Sequence, residues 1–206
     1  MTIDGNGAGV TDTTTPTTRV SRRVAHVVTE ALSPAVLVAG ISIAVAWHSR
    51  SLVWGVVTAV FASAIPLSYI LRGVRRGHYD DHHVRTRERR PAVLLFAAAS
   101  VVAGLVLMVV LHAPRDLVAL VVAMLAGLAL TLAVTHWWKV SFHTAVSAGT
   151  ATTLALVFGP WLLLSWAAVA VVAWSRVRLG DHSVAQTVVG AALGALAAGV
   201  VFPLVR

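Results

Sequence analysis

From about residue 30 onward, long apolar runs alternate with short polar interruptions. The runs fall at about 31–47, 52–72, 92–112, 117–137, 143–158, 161–177 and 184–204. A helix that crosses a bilayer needs about 20 apolar residues at about 1.5 Å rise each, so the first and fifth runs are short for the task. Ala, Val and Leu with scattered Gly fill every run, whereas the strands of a membrane barrel alternate polar and apolar over about ten residues. Backbone facing lipid must satisfy its own hydrogen bonds, which leaves helices. The pattern therefore predicts an all-α, polytopic transmembrane helix bundle of six or seven spans. Gly190 and Gly194, with Gly199 one residue off their register, give the last run small residues that permit close helix contact.

Residues 1–29 read differently. They are rich in Thr and Gly and have no apolar run of the kind a secretory signal needs, so they are expected to form a disordered polar tail. Residues 30–206 then make up one membrane domain. The overall composition supports this division, with 58% hydrophobic residues, 12% charged residues and a mean hydropathy of +0.83. An ordinary soluble domain carries about twice that charge. A net charge of +8 raises the question of nucleic acid, but no stacking aromatics are interleaved with the basic residues. In a membrane protein the same excess marks cytoplasmic loops and anionic headgroups, so the membrane is the expected partner and nucleic acid is not. Cysteine is absent, which removes disulfides, thiolate metal sites and cysteine nucleophiles.

The polar residues gather in three places: RGVRRGHYDDHHVRTRERRP at 72–91, HWWKVSFHT at 136–144 and WSRVRLGDHSVAQ at 174–186. If every run crosses, two helices separate each cluster from the next, and all three share one face of the membrane. Arg offers a fork of donors suited to phosphate oxygens, Lys a point charge, and His a nucleophile or a proton donor. Asp80, Asp81, His82 and His83 contain metal-ligand types, but tandem neighbours on one helix do not both point inward, and no metal or other cofactor is assigned. Arg72, Arg75 and Arg76 read as headgroup anchors, and His48, His112 and His136 as polar caps.

These clusters resemble the three motifs of the type 2 phosphatidic acid phosphatases, which share a fold with bacterial acid phosphatases and vanadium haloperoxidases. The family's third motif, Ser-Arg-x5-His-x3-Asp, is matched by Ser175, Arg176, His182 and then Gln186. Its second, Pro-Ser-Gly-His, is matched by Val140, Ser141, Phe142 and His143. The first, Lys-x6-Arg-Pro, keeps Arg90 and Pro91, with His83 where the lysine stands. Each match is weak alone. In the right order and each at a membrane boundary they are more specific, and they cover a little over half of the chain.

The resemblance implies a phosphatase core and phosphoryl transfer through a phosphohistidine. His182 would be the nucleophile and His143 the acid that protonates the leaving oxygen. Arg90 and Arg176 would clamp the non-bridging oxygens, with Ser141, Lys139 and His83 as further phosphate donors. Gln186 departs from the family's aspartate. Its amide oxygen can still accept from the nucleophile's ring, but it brings no negative charge, so a slower enzyme or a different reaction is expected. Asp181, beside the nucleophile, is a candidate substitute. His83 makes phosphate binding there sensitive to pH, although Arg85 or Arg87 can supply a fixed charge instead. Phe142, in place of glycine, narrows the turn before His143.

Counting Lys and Arg near helix ends places thirteen on the motif side and three, Arg50, Arg115 and Arg206, on the other. This asymmetry predicts an integral plasma-membrane protein with its site at the cytoplasmic face. The expected substrate is a lipid phosphate or a polyprenyl phosphate or diphosphate. Two alternatives stand beside hydrolysis: a relative that uses the phosphate pocket for transfer or prenyl diphosphate chemistry, and a non-catalytic membrane binder.

Overall fold

A computed structural model describes residues 16–75 and 90–206, with side chains from 19 to 75 and from 95 onward. The described residues are helical apart from short junctions and contain no strand. Each apolar run is a helical segment: α2 (Pro34–His48), α3 (Leu52–Ala59) continued by α4 (Ile65–Arg75), α5 (Arg90–Val110), α6 (Arg115–Trp137), α7 (Phe142–Phe158), α8 (Trp166–Arg178) and α9 (Val184–Val205). Four stretches are long and apolar enough to cross a membrane, namely Leu52–Arg75, Arg115–Trp137, Pro160–Arg178 and Val184–Val205. A bent pair of helices, Arg19–Ala31 with Pro34–His48 at 44°, makes a fifth. The 17 residues of α7 span only about 25 Å, less than the roughly 30 Å hydrocarbon core.

The expected polar tail is not borne out over its last part, because α1 (Pro16–Ala31) is a helix docked on α8. Its small residues explain the docking. Ser21, Ala25 and Thr29 recur every four residues and so share one face. Ala25 is fully buried, Thr29 Oγ1 lies 3.2 Å from Ser175 Oγ, and Arg178 Nε donates to Ser21 Oγ at 2.6 Å. Arg19, Arg22 and Arg23 stay exposed. A composition rich in Thr reads as disorder, yet on a helix the same small residues permit close packing. Pro34, at the first position of α2, has no N–H to continue α1 and sets the bend.

Between α3 and α4 the helix widens into a π turn at Val60–Ala64. There the Ile65 N–H reaches back five residues to the Val60 carbonyl. In that register the Phe61 carbonyl would next face residue 66, which is proline and has no N–H. Ser100 Oγ on α5 supplies the missing donor at 2.6 Å. Ser63 Oγ donates to the Ala35 carbonyl on α2 at 2.8 Å, so the bulge is held by neighbouring helices on both sides.

The bundle has two unlike ends. At one, Asp116 at the start of α6 accepts from Arg206 Nε at 2.8 Å and from Ser49 Oγ at 3.2 Å, and the His48 ring meets Phe158 edge-on. Arg50, Arg115 and Arg206 therefore gather there. Val45, Met108, Leu117 and Phe202, all fully buried, belong to the apolar core. At the other end α6 and α8 finish while α7 and α9 begin, and chain direction brings the start of α5 to the same end. Helices α7 and α9 run parallel in close contact. A Cβ on Gly190 would overlap the Ser141 carbonyl and Thr144 Oγ1, and one on Gly194 the Ala145 carbonyl.

Candidate active site

The junction after α6 is built to reach α9. Trp138 is extended (φ −145°, ψ 127°), and the chain stays out of helix until Ser141 caps α7, its Oγ accepting from the Thr144 N–H. The Ser141 N–H donates to the Gln186 carbonyl at 3.2 Å. That bond and the Gly190 contact fix the first turn of α7 against the first turn of α9. Two helix N-termini, each a partial positive charge, thus meet at one place. His143 is buried on the first turn of α7.

Helix α8 ends in a Schellman turn, with the Gly180 N–H donating to the Val177 carbonyl and the Asp181 N–H to the Arg176 carbonyl. Gly180 is left-handed (φ 77°), the conformation this turn requires. The turn folds Asp181 back over the helix end. Its carboxylate takes Arg176 Nη2 at 2.9 Å, with the two side chains 7% and 21% exposed. Lys139, from the junction after α6, donates through Nζ to the Asp181 carbonyl.

His182 follows, and Gln186 decides its state. Ser183 caps α9 in a capping box, its Oγ accepting from the Gln186 N–H while Gln186 Oε1 accepts from the Ser183 N–H at 3.1 Å. A backbone N–H only donates, so the side-chain atom facing it is the oxygen. The same Oε1 lies 3.2 Å from His182 Nδ1. An oxygen without a proton accepts only, so Nδ1 carries the hydrogen and Nε2 keeps its lone pair. The His182 pKa is pushed down from 6.5 to about 4, first by burial and then by the positive charges of Lys139 and Arg176, against smaller upward effects of Gln186 and Asp181. At neutral pH the ring is uncharged and its free nitrogen is Nε2.

Of the residues expected at the site, Lys139, Ser141, Arg176, His182 and Gln186 form one contact network, and His143 lies within a turn of Ser141. Arg90 opens α5 at this end, but its side chain lies outside the described residues, as does His83. Asp181 does not stand in for the family's aspartate, since its carboxylate is turned to Arg176 and the His182 ring to Gln186. Two features went unread in the sequence. The Ser-x-x-Gln of a capping box is printed at 183–186, and a glycine two residues after Arg178 is a helix-stop signal. No family model matches the chain, and no curated protein or solved structure matches it either.

Proposed function

We propose that this chain is an integral-membrane phosphatase with a core like that of the type 2 phosphatidic acid phosphatases, acting on a lipid or polyprenyl phosphate at the cytoplasmic face. The observation that carries this reading is His182. Its ring is neutral at working pH, its tautomer is fixed by an acceptor on Nδ1, and it lies in the field of Lys139 and buried Arg176. A polar cap would have no use for that combination. A nucleophile that attacks an anionic phosphorus centre needs all of it.

In the reaction, His182 Nε2 attacks phosphorus, and the bond from phosphorus to the leaving oxygen breaks. His143 donates the proton that turns the leaving group into an alcohol. Arg176, Lys139 and the amides at the start of α7 neutralise the oxygens as charge develops. Water, giving a proton back to His143, then attacks phosphorus, the bond from phosphorus to Nε2 breaks, and inorganic phosphate leaves with both rings restored. The Gln186 carbonyl oxygen orients the ring throughout, but as a neutral dipole it stabilises the cationic phosphohistidine less than a carboxylate would, so the enzyme is slow.

The test is phosphate release by protein purified in detergent from phosphatidic acid, phosphatidylglycerol phosphate, polyprenyl phosphate and polyprenyl diphosphate. Release that is lost in His182→Ala and in His143→Ala, together with an acid-labile phosphohistidine trapped in His143→Ala by a substrate with a good leaving group, is the expected result. A folded wild type that releases no phosphate from any of the four overturns it.

A further inference from the structure

Helix α1 carries three unlike faces. Ser21, Ala25 and Thr29 form the face docked on α8. At about 100° per residue, Val20, Val24 and Val27 form a second face, and Arg19, Arg22, Arg23 and His26 a third, with Glu30 as its one acid. The valines turn away from the bundle: Val27 is 67% exposed, and Val20 and Val24 are exposed beside it. The neighbours of α1 set its depth. Thr29 and Ser21 meet Ser175 and Arg178 in the last turn of α8, at the end of the bundle where the polar network lies. The 15 residues of α2 rise only about 22 Å, so residues 27–31 of α1 complete a crossing of about 30 Å. Arg19, Arg22 and Arg23 then stand one to two turns further out, at the level of the lipid phosphates, where exposed Arg178 joins them. Exposed Trp174, one turn before Arg178, is a residue type enriched at this boundary.

The 44° bend from α2 tips α1 out of line with the crossing helix, so that a side of α1 and not only its end meets the boundary. Valines on one face and arginines on the next suit a bilayer leaflet that offers acyl chains and anionic phosphates at adjoining depths. The charge is complementary, and a guanidinium binds a phosphate with a fork of donors. We infer that α1 is an anionic-lipid site, in which Val20, Val24 and Val27 insert at the headgroup boundary while Arg19, Arg22, Arg23 and Arg178 gather anionic phospholipid around the end of α8. Each basic side chain near an anionic surface favours it about fivefold, so three or more give a preference of at least about tenfold after screening by salt. This site stands apart from the reaction proposed above and does not depend on it.

The chain has no cysteine, so Val27→Cys provides a single thiol for a bimane fluorophore. The full chain is reconstituted in nanodiscs of phosphatidylcholine, and quenching is titrated with phosphatidylglycerol or phosphatidylcholine brominated high on the acyl chain. Brominated phosphatidylglycerol is expected to quench at a mole fraction at least about tenfold lower than brominated phosphatidylcholine. Bimane at Val106→Cys, on the exposed side of α5, should show no more than about a twofold preference. Changing Arg19, Arg22 and Arg23 together to Gln should bring the Val27 probe down to about threefold, and about 0.5 M salt should do the same to the unchanged arginines. The three side chains are exposed, and an unchanged thermal midpoint shows that the variant is folded. Quenching by neither lipid at Val27 overturns the site, because the valine face then lies in water. Equal quenching by both lipids, an equal preference at Val106, or a preference that survives either the Gln changes or the salt overturns it too.

Discussion

Replacing Gln186 by Glu and by Leu separates the two tasks of one oxygen atom. Oε1 accepts from the Ser183 N–H at 3.1 Å and faces the His182 Nδ1 hydrogen at 3.2 Å. Leu removes both bonds. One half of a capping box at an exposed helix start is worth about 0.5–1 kcal/mol and a neutral hydrogen bond about 1 kcal/mol, so stability should fall by about 1–2 kcal/mol. The ring also loses its fixed tautomer, and phosphate release should drop about tenfold. Glu keeps both acceptors and adds a charge. A carboxylate this close favours the imidazolium, so the titration midpoint of His182 should rise from about 4 by about one to three pH units. The ring is only half-buried and solvent screens part of the effect, so the lower end of that range is expected. Each unit corresponds to about 1.4 kcal/mol of preference for the cationic ring, and if the phosphohistidine shares one unit of it, turnover rises about tenfold. Proton-detected ¹⁵N NMR of the labelled imidazole reads the midpoint and the tautomer directly, with phosphate release as the second measurement. A midpoint that stays or falls in Gln186→Glu, or a Gln186→Leu ring that still protonates Nδ1 alone, would refute the reasoning.

Asp181→Asn removes the carboxylate 2.9 Å from the buried Arg176 Nη2, which should lower stability by about 3 kcal/mol, and millimolar orthovanadate should restore part of the thermal midpoint by supplying negative charge beside the guanidinium. Gly194→Ala forces α7 and α9 apart at the Ala145 carbonyl and should cost about 1–3 kcal/mol in denaturant titrations, while Gly190→Ala, which presses on Ser141, should reduce phosphate release more than its stability loss explains. Between pH 6.5 and about 4 the unfolded chain binds a proton at His182 that the folded chain refuses, so this residue makes stability rise with pH across that window, and His182→Asn should flatten the rise in thermal scans. Arg50 sits in the left-handed region at φ 52°, and Arg50→Gly should raise the melting temperature by relieving about 1 kcal/mol of backbone strain.

Much of the helix layout was legible in the apolar runs, because lipid-facing backbone leaves the chain one choice of structure and each run declares its own length. That α9 would pack closely on a neighbour was legible too, from glycines spaced four apart, but not that the neighbour is α7. What escaped were features carried by small polar residues. The face of Ser21, Ala25 and Thr29 looks like linker composition until a helix lines the three up against α8. The roles within 174–186 could be proposed by motif spacing, but spacing does not say which partner Asp181 chooses. A helix-stop turn that depends on Gly180 delivers Asp181 to Arg176, and a capping box delivers Gln186 to His182.

The pairing of Ser141 with the start of α9 also bears on how the molecule is made. The first turn of α7 leaves the ribosome some forty residues before the backbone and glycines that hold it in register. Until the α8–α9 hairpin enters the bilayer, α7 presents a stripe of Ala145, Ala148 and Gly149 with no partner, in a membrane crowded with other helices. Quality control that samples such stripes would see a half-made chain until its last helix docks, and that one docking event both hides the stripe and completes the network around His182.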